Sequence, residues 1–307
     1  MATPRVSGTR VSASRLSVSH IAIVACAAAA FGGLIGGTFG SFYSSSAAPQ
    51  PFDEGEDYSY AENPFEGCNV LGLQVHGTIL GTLSQVPVTD LISVGDEYGT
   101  LRAPNYAISN QLVGMLDWAS EDENIKAVIV DVDSPGGTAA AGDELAQAVR
   151  RLGKPSAAVI HDLGVSSGYL VAAAANRVFA GLSSTVGSIG ATYSYLNYAG
   201  KNADEGIAYE ELSSAPFKDM LNPDKPLTDE ERTLIERDLK FLHDDFVGTV
   251  ALYRELPREH IERLADGSAL LGSQALNEGL IDEIGNLTEA SLYLSQVIGE
   301  PVSICWE

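Results

Sequence analysis

Gly164, Ser166 and Gly168 form a G-x-S-x-G run inside residues 159–175, VIHDLGVSSGYLVAAAA. Apolar residues give way to a Gly- and Ser-rich turn and then to small apolar residues. That order predicts strand, tight turn, helix. Flanking glycines let a backbone turn sharply and hold a serine hydroxyl clear of the turn, where it can act as a nucleophile. The serine would stand at the start of the helix, whose free N–H groups favour the negative charge of an attacked carbonyl. Other small-residue turns can spell the same pattern, so its weight depends on the rest of the chain.

An alternation of strands and helices would position this serine. Residues 69–80, NVLGLQVHGTIL, alternate apolar with polar or Gly residues and predict the first strand, with His76 in it. Residues 105–120 carry Ile108, Leu112, Met115, Leu116 and Ala119 at helical spacing behind Pro104. The run 127–132, AVIVDV, predicts a buried strand ending in the turn Asp133-Ser134-Pro135-Gly136-Gly137, and 139–152 is helical again. Past the serine come a strand at 177–180, the turn Thr185-Val186-Gly187-Ser188-Ile189-Gly190, and a loop at 213–223 that carries Lys218. Thr228-Asp229-Glu230-Glu231 is a capping box. The helix it opens is expected to bury Leu234, Ile235, Leu239, Leu242, Phe246, Val247 and Val250. Residues 272–285 predict a turn, a short helix, Gly279 and a short strand at Leu280-Ile281. Such alternation argues for an α/β fold with mostly parallel strands and a helical C-terminal part.

The 307 residues carry a formal charge of −23, which would repel a polyanion and argues against nucleic acid as a partner. Cys26, Cys68 and Cys305 lack metal-ligand spacing, and no Cys/His cluster or phosphate loop calls for a metal or cofactor. Cys68 and Cys305 lie near the two ends of the folded part; they could pair outside the cytoplasm or remain free thiols. Residues 1–20 form a tail with Arg5, Arg10 and Arg15 and no acid. Residues 21–43 are uncharged and apolar, long enough for a bilayer core, which needs ~20 helical residues. An acidic, Ser- and Pro-rich linker occupies 44–66 and leaves 67–307 as the folded domain. Arginines before the span and Asp53, Glu54, Glu56 and Asp57 after it put the N-terminus in the cytoplasm and the domain outside. The apolar run is longer than the core of a cleaved signal peptide, so it reads as one uncleaved transmembrane helix.

Taken in order, Asp133-Ser134-Pro135-Gly136-Gly137, Ser166-Ser167-Gly168-Tyr169, Val186-Gly187-Ser188-Ile189-Gly190 and Phe217-Lys218-Asp219-Met220 form a recognisable series. Gly272-Ser273-Gln274-Ala275-Leu276 and Gly279-Leu280-Ile281-Asp282 close it. The series resembles the signal peptide peptidase A family of membrane-bound serine proteases, in its short single-domain form, over about 69–285. The resemblance implies a ClpP/crotonase-like core, a Ser–Lys dyad with Ser166 as nucleophile and Lys218 as general base, and a homo-oligomer with sites near subunit contacts, where the dyad can be completed between chains. Ser167 stands where the family usually has Gly, yet both registers select Ser166.

A lysine can take a serine proton only when neutral. Against a reference pKa of ~10.4, work near neutral pH requires about 4 kcal/mol against the charged form. Phe217, Met220 and Leu221 place apolar groups around Lys218, while Asp219 beside it favours the charge. Gly136 and Gly137 can bring backbone N–H donors close because no Cβ intervenes, and Ser167 N–H is a natural second oxyanion donor. Ser188 is a candidate to orient the lysine amine, or simply a turn-stabilising residue.

Three other readings compete. An α/β-hydrolase-type esterase would need an acid and a histidine on loops, whereas His243 and His260 fall in helical sequence and His161 at a strand end. A crotonase-like acyl-CoA enzyme would share the fold but fits poorly with an anchor. A catalytically silent membrane scaffold is the third. The reading favoured is a serine endopeptidase of the plasma membrane, single-pass, that cleaves signal peptides or other hydrophobic peptides outside the cytoplasm.

Overall fold

The structure, a computed structural model, describes residues 67–93, 101–102 and 105–306. The tail, span and linker expected at 1–66 lie outside them. Among the described residues no helix is long and apolar enough to cross a membrane.

Val-, Ile- and Ala-rich runs form the strands. β1 (Val70–His76), β2 (Thr78–Leu80), β3 (Ile92–Ser93), β4 (Leu101–Arg102) and β5 (Tyr106–Ile108) precede α1 (Ser109–Glu121). Then come β6 (Ala127–Ser134), α2 (Ala139–Arg151), β7 (Ser156–Val165), α3 (Ser167–Ala173), β8 (Arg177–Ala180), β9 (Thr185–Gly187) and α4 (Ala199–Asp204). The rest alternates again: α5 (Asp229–Arg254), α6 (Arg258–Leu264), β10 (Ala269–Leu271), α7 (Gly272–Asn277), β11 (Glu283–Ile284), α8 (Leu287–Ile298) and β12 (Ile304–Trp306).

One sheet runs in the order β10-β9-β7-β6-β1-β12, with β8 pairing both β7 and β11. All its pairings are parallel except β9 with β10, so the mixed α/β, mostly parallel expectation holds. β6 and β7 are apolar on both faces because helices cover both. Leu73, Val130 and Ile160 share a core with Leu116 of α1, Leu145 of α2 and Tyr169 of α3. On the opposite face Ile129, Val159 and Phe179 pack with Ala290 and Leu294 of α8.

Several local expectations need correction. The first strand breaks at Gly77, whose φ is +73 and whose added Cβ would lie 2.0 Å from Asn105 O. The helix expected from 105 starts only at Ser109, because Tyr106–Ile108 pairs with β2 and satisfies its backbone groups there. Leu280 and Ile281 are buried but form no strand: Leu280 N–H closes back on Ala275 O, and the strand comes later as β11. The Thr228 cap is reciprocal, with Glu231 N–H on Thr228 Oγ1 at 3.2 Å and Thr228 N–H on Glu231 Oε2 at 2.9 Å. Of the apolar residues expected inside α5, however, only Val247 and Val250 are buried, and Leu242 is exposed. The cause is length. A helix of 26 residues outruns α3 and α6, of 7 residues each, on which it packs.

Cys68 and Cys305 form a disulfide with Cα atoms 5.7 Å apart, which decides the alternative left open above. It ties the entry of β1 to β12, the neighbouring edge strand. Asn69 reinforces the junction by accepting from Ser303 N–H at 2.8 Å and donating to Pro301 O at 2.9 Å.

Candidate active site

Ser166 sits on the turn between β7 and α3 with φ 53 and ψ −131. A non-Gly residue held at positive φ costs ~1–3 kcal/mol and persists only where its surroundings impose it. Here Ser166 N–H donates to Gly187 O at 2.8 Å, and Ser166 O accepts from Leu170 N–H at 3.0 Å. Both motif glycines are required by close approach. An added Cβ on Gly164 would lie 2.7 Å from Ile160, and one on Gly168 would lie 2.9 Å from Ser134 O. The strand also changes register on its way to the turn. Val132 pairs with Ile160 and Ser134 with Gly164, so 161–163 bulge out and Leu163 N–H reaches Asp133 Oδ1 at 3.2 Å.

Gly136, at φ +95, stands directly against this serine: an added Cβ would lie 2.7 Å from Ser166 Cβ and 3.0 Å from its Oγ. Its own N–H donates to Ser134 Oγ at 3.1 Å, and its carbonyl accepts from Ile79 N–H at 2.9 Å. Thr138 N–H donates to Ile79 O at 3.0 Å. Of the three backbone donors singled out in the sequence, Gly136 is therefore committed within the fold. Gly137, in a bridge whose bonds run through its neighbours, turns its own N–H away from Ile79. Ser167 opens α3, where helix N–H groups lack intrahelical partners. Ser188, at φ 49, donates its hydroxyl to Gly267 O at 2.8 Å and its N–H to Ser268 O at 3.1 Å.

Lys218 lies in an exposed run of turns, where its N–H closes on Ala215 O at 3.2 Å. Among the described residues its amine has no hydrogen bond or ion pair, and this chain alone does not bring it to Ser166. Lys225, seven positions on, is the opposite case. Its side chain is 15% exposed and lies 2.8 Å from Glu211, 3.1 Å from Glu231 and 3.8 Å from Asp219. The hydrogen bond to Glu211, with that to Glu231, outweighs burial and pushes the Lys225 ammonium well above its ordinary value. Such a cation cannot take a proton from a serine.

No described histidine hydrogen-bonds Ser166. His76 Nε2 meets Asp131 Oδ2 at 3.0 Å, and His161 Nε2 bonds the other oxygen of the same carboxylate. His260 bonds Glu278 O at 2.9 Å and Arg263 at 2.8 Å. The triad that an esterase would need is not assembled around this serine. Burial would raise the Asp131 carboxyl, but hydrogen bonds and charge from His76 and His161 overcome it and hold the group below the ordinary carboxylate range. Sequence reasoning missed Asp131 and Ser134. The aspartate inside AVIVDV, a polar residue in an apolar run, was the available signal.

A family model described as Peptidase family S49 matches residues 148–298, which include Ser166 and Lys218. A provisionally assigned protease of Methanocaldococcus jannaschii is 33% identical over 187 residues, 60% of this chain and 60% of that protein. A provisionally assigned signal peptide peptidase SppA of Enterococcus faecium is 33% identical over 173 residues, 55% of this chain and 50% of its own. The chloroplastic serine protease SPPA of Arabidopsis thaliana is 31% identical over 215 residues, 69% of this chain and 32% of its own. The match thus spans less than two thirds of each relative's length. Over residues 148–298, which hold the serine on its strained turn, the chain is thus similar to the peptidase S49 family, and by these relatives to signal peptide peptidase A proteins.

Proposed function

We propose that this chain is a membrane-anchored serine endopeptidase with a ClpP/crotonase-like core, which cuts signal peptides or other hydrophobic peptides outside the cytoplasm. The observation that carries the reading is Ser166 itself: a strained serine on a strand-to-helix turn, packed against a Gly-Gly turn. Ser166 Oγ bonds to the scissile carbonyl carbon while its proton passes to the neutral amine of Lys218. Gly137 and Ser167 N–H groups hold the oxyanion. Collapse breaks the C–N bond, and the lysine gives its proton to the leaving amine. Water then attacks the ester, losing its proton to Lys218, and Ser166 regains its hydrogen. Ser188 helps to orient the amine.

Two features favour assembly and location. Lys218 does not reach Ser166 within one chain, and its stretch exposes Tyr193, Leu196, Ile207, Leu212 and Phe217, with Leu212 98% exposed. A second copy covering these residues would bring its own Lys218 to the serine, so we assign the dyad to neighbouring protomers of a homo-oligomer. The Cys68–Cys305 disulfide supports a domain on the oxidising side of the membrane, with residues 21–43 as the anchor and 67–307 as the protease domain.

Cleavage of hydrophobic peptides by the full chain in detergent tests the proposal. Ser166→Ala and Lys218→Ala should each lower kcat by roughly 10⁴-fold or more. Full activity in either variant overturns the dyad. Loss on His161→Ala with Lys218→Ala active would favour the esterase.

A further inference from the structure

Ser134 belongs to none of the roles assigned above, yet it touches three backbone segments beside the serine. It ends β6 and is fully buried. Its hydroxyl donates to Gly77 O at 2.6 Å and accepts from Gly136 N–H at 3.1 Å. Its backbone oxygen lies where Gly168 leaves no room for a Cβ, 2.9 Å from the position that atom would take. One side chain therefore links the turn after β1, the Gly136–Gly137 turn and the first turn of α3.

The bonds around Gly136 show what that link does. On one flank Ile79 takes Gly136 O and gives its own carbonyl to Thr138 N–H. On the other, Ser134 takes Gly136 N–H. With both flanks pinned, the peptide planes on either side of Gly136 cannot rotate, and Gly136 keeps φ +95 against Ser166. Gly137 N–H then remains as the donor of this turn. Gly137 is itself pressed on β2, since an added Cβ would lie 1.9 Å from Ile79 O.

We propose that Ser134 is the positioning residue of the oxyanion site: its hydroxyl ties down Gly136 N–H so that the neighbouring Gly137 N–H is aimed at the developing charge beside Ser166. The role rests on the reading of Ser166 as the nucleophile. Ser134 does not touch substrate and acts through Gly137. Without the hydroxyl, Gly136 N–H and Gly77 O lose a shared partner, and the Pro135–Gly136 peptide is free to swing, which displaces Gly136 and with it the Gly137 N–H that follows. Ground-state binding does not use that N–H fully, so the loss falls on the transition state.

The test is steady-state peptide hydrolysis by the full chain, normalised to Ser166 titrated to completion with a fluorophosphonate, together with affinity for a peptide boronate. Ser134→Ala should lower kcat roughly 10- to 100-fold, with KM within about twofold and boronate affinity reduced by the factor seen in kcat. Ser134→Thr, which keeps a hydroxyl, should recover most of kcat, and Ser134→Cys, a weak hydrogen-bonding group, should fall between. Wild-type kcat per titrated serine in the Ala or Cys variant overturns the proposal, as does a change confined to KM. Should the Ala variant not fold, the Thr and Cys pair decides. Ser166→Ala separates the two levels. Cleavage persisting in it removes the nucleophile reading as well, whereas an inactive Ser166→Ala beside unimpaired Ser134 variants removes the Ser134 role alone.

Discussion

Ser166 stands where β6, β7, β9 and α3 converge, its N–H on Gly187 and its side chain against Gly136. Lys218 stands in a run of turns beyond β9, with its amine uncommitted and Phe217 beside it exposed. Around the serine, backbone conformation is imposed by glycines that tolerate no Cβ and by a buried hydroxyl. The lysine stretch is organised chiefly by the ion pairs of Lys225 with Glu211, Asp219 and Glu231. The difference teaches a division of labour. A strained nucleophile needs a rigid frame built in one piece. The general base proposed here would need a desolvated setting to lose its charge, and a single copy of this chain leaves Lys218 exposed.

Mixing is the largest test of that division. Ser166→Ala and Lys218→Ala chains, each inactive, should regain activity when co-assembled, to about a quarter of wild type under random assortment in a symmetric ring. No recovery would place the dyad within one protomer. Next in size, Gly136→Ala adds a Cβ at φ +95 and 2.7 Å from Ser166 Cβ. It should reduce kcat about 100-fold and stability by ~1–3 kcal/mol, read by hydrolysis and thermal melting. Cys305→Ser should cost ~2–4 kcal/mol of stability while leaving kcat at temperatures well below the melt nearly unchanged, since the bond lies on the far edge of the sheet. The smallest effect is a pH dependence. Because Asp131 is held below its ordinary pKa by His76 and His161, its stabilisation is present above about pH 4 and fades as pH falls through the lowered value. Asp131→Asn should therefore be less stable than wild type at neutral pH, with the gap closing in acid. A constant gap would show that the carboxylate charge is not what matters.

Local chemistry made much of this legible. The G-x-S-x-G turn, the Thr228 capping box and the strand at 177–180 are each set by residues close in sequence, and each is found where expected. The errors come from partners distant in sequence. Tyr106–Ile108 looked helical until β2 offered it a pairing edge. Leu242 carried the right periodicity for a buried face, but periodicity cannot tell how far the covering helices extend. Asp131 gained its meaning only when β1 and β7 brought His76 and His161 to either side. Ser134 was visible merely as part of a turn, because its second partner, Gly77 O, lies 57 residues away. The proposed relation of Lys218 to Ser166 would be of the same kind, one step further out, for on that reading it depends on a second copy.

The bond between Cys68 and Cys305 encloses nearly all of the described chain in a covalent ring, its ends separated by 237 positions in sequence. Exposed turns such as 207–217 are places where a chain is readily nicked. Any single scission inside the ring leaves both pieces on one molecule and their β1–β12 seam closed. Clipped chains would therefore run as intact protein on a gel until a reductant is added.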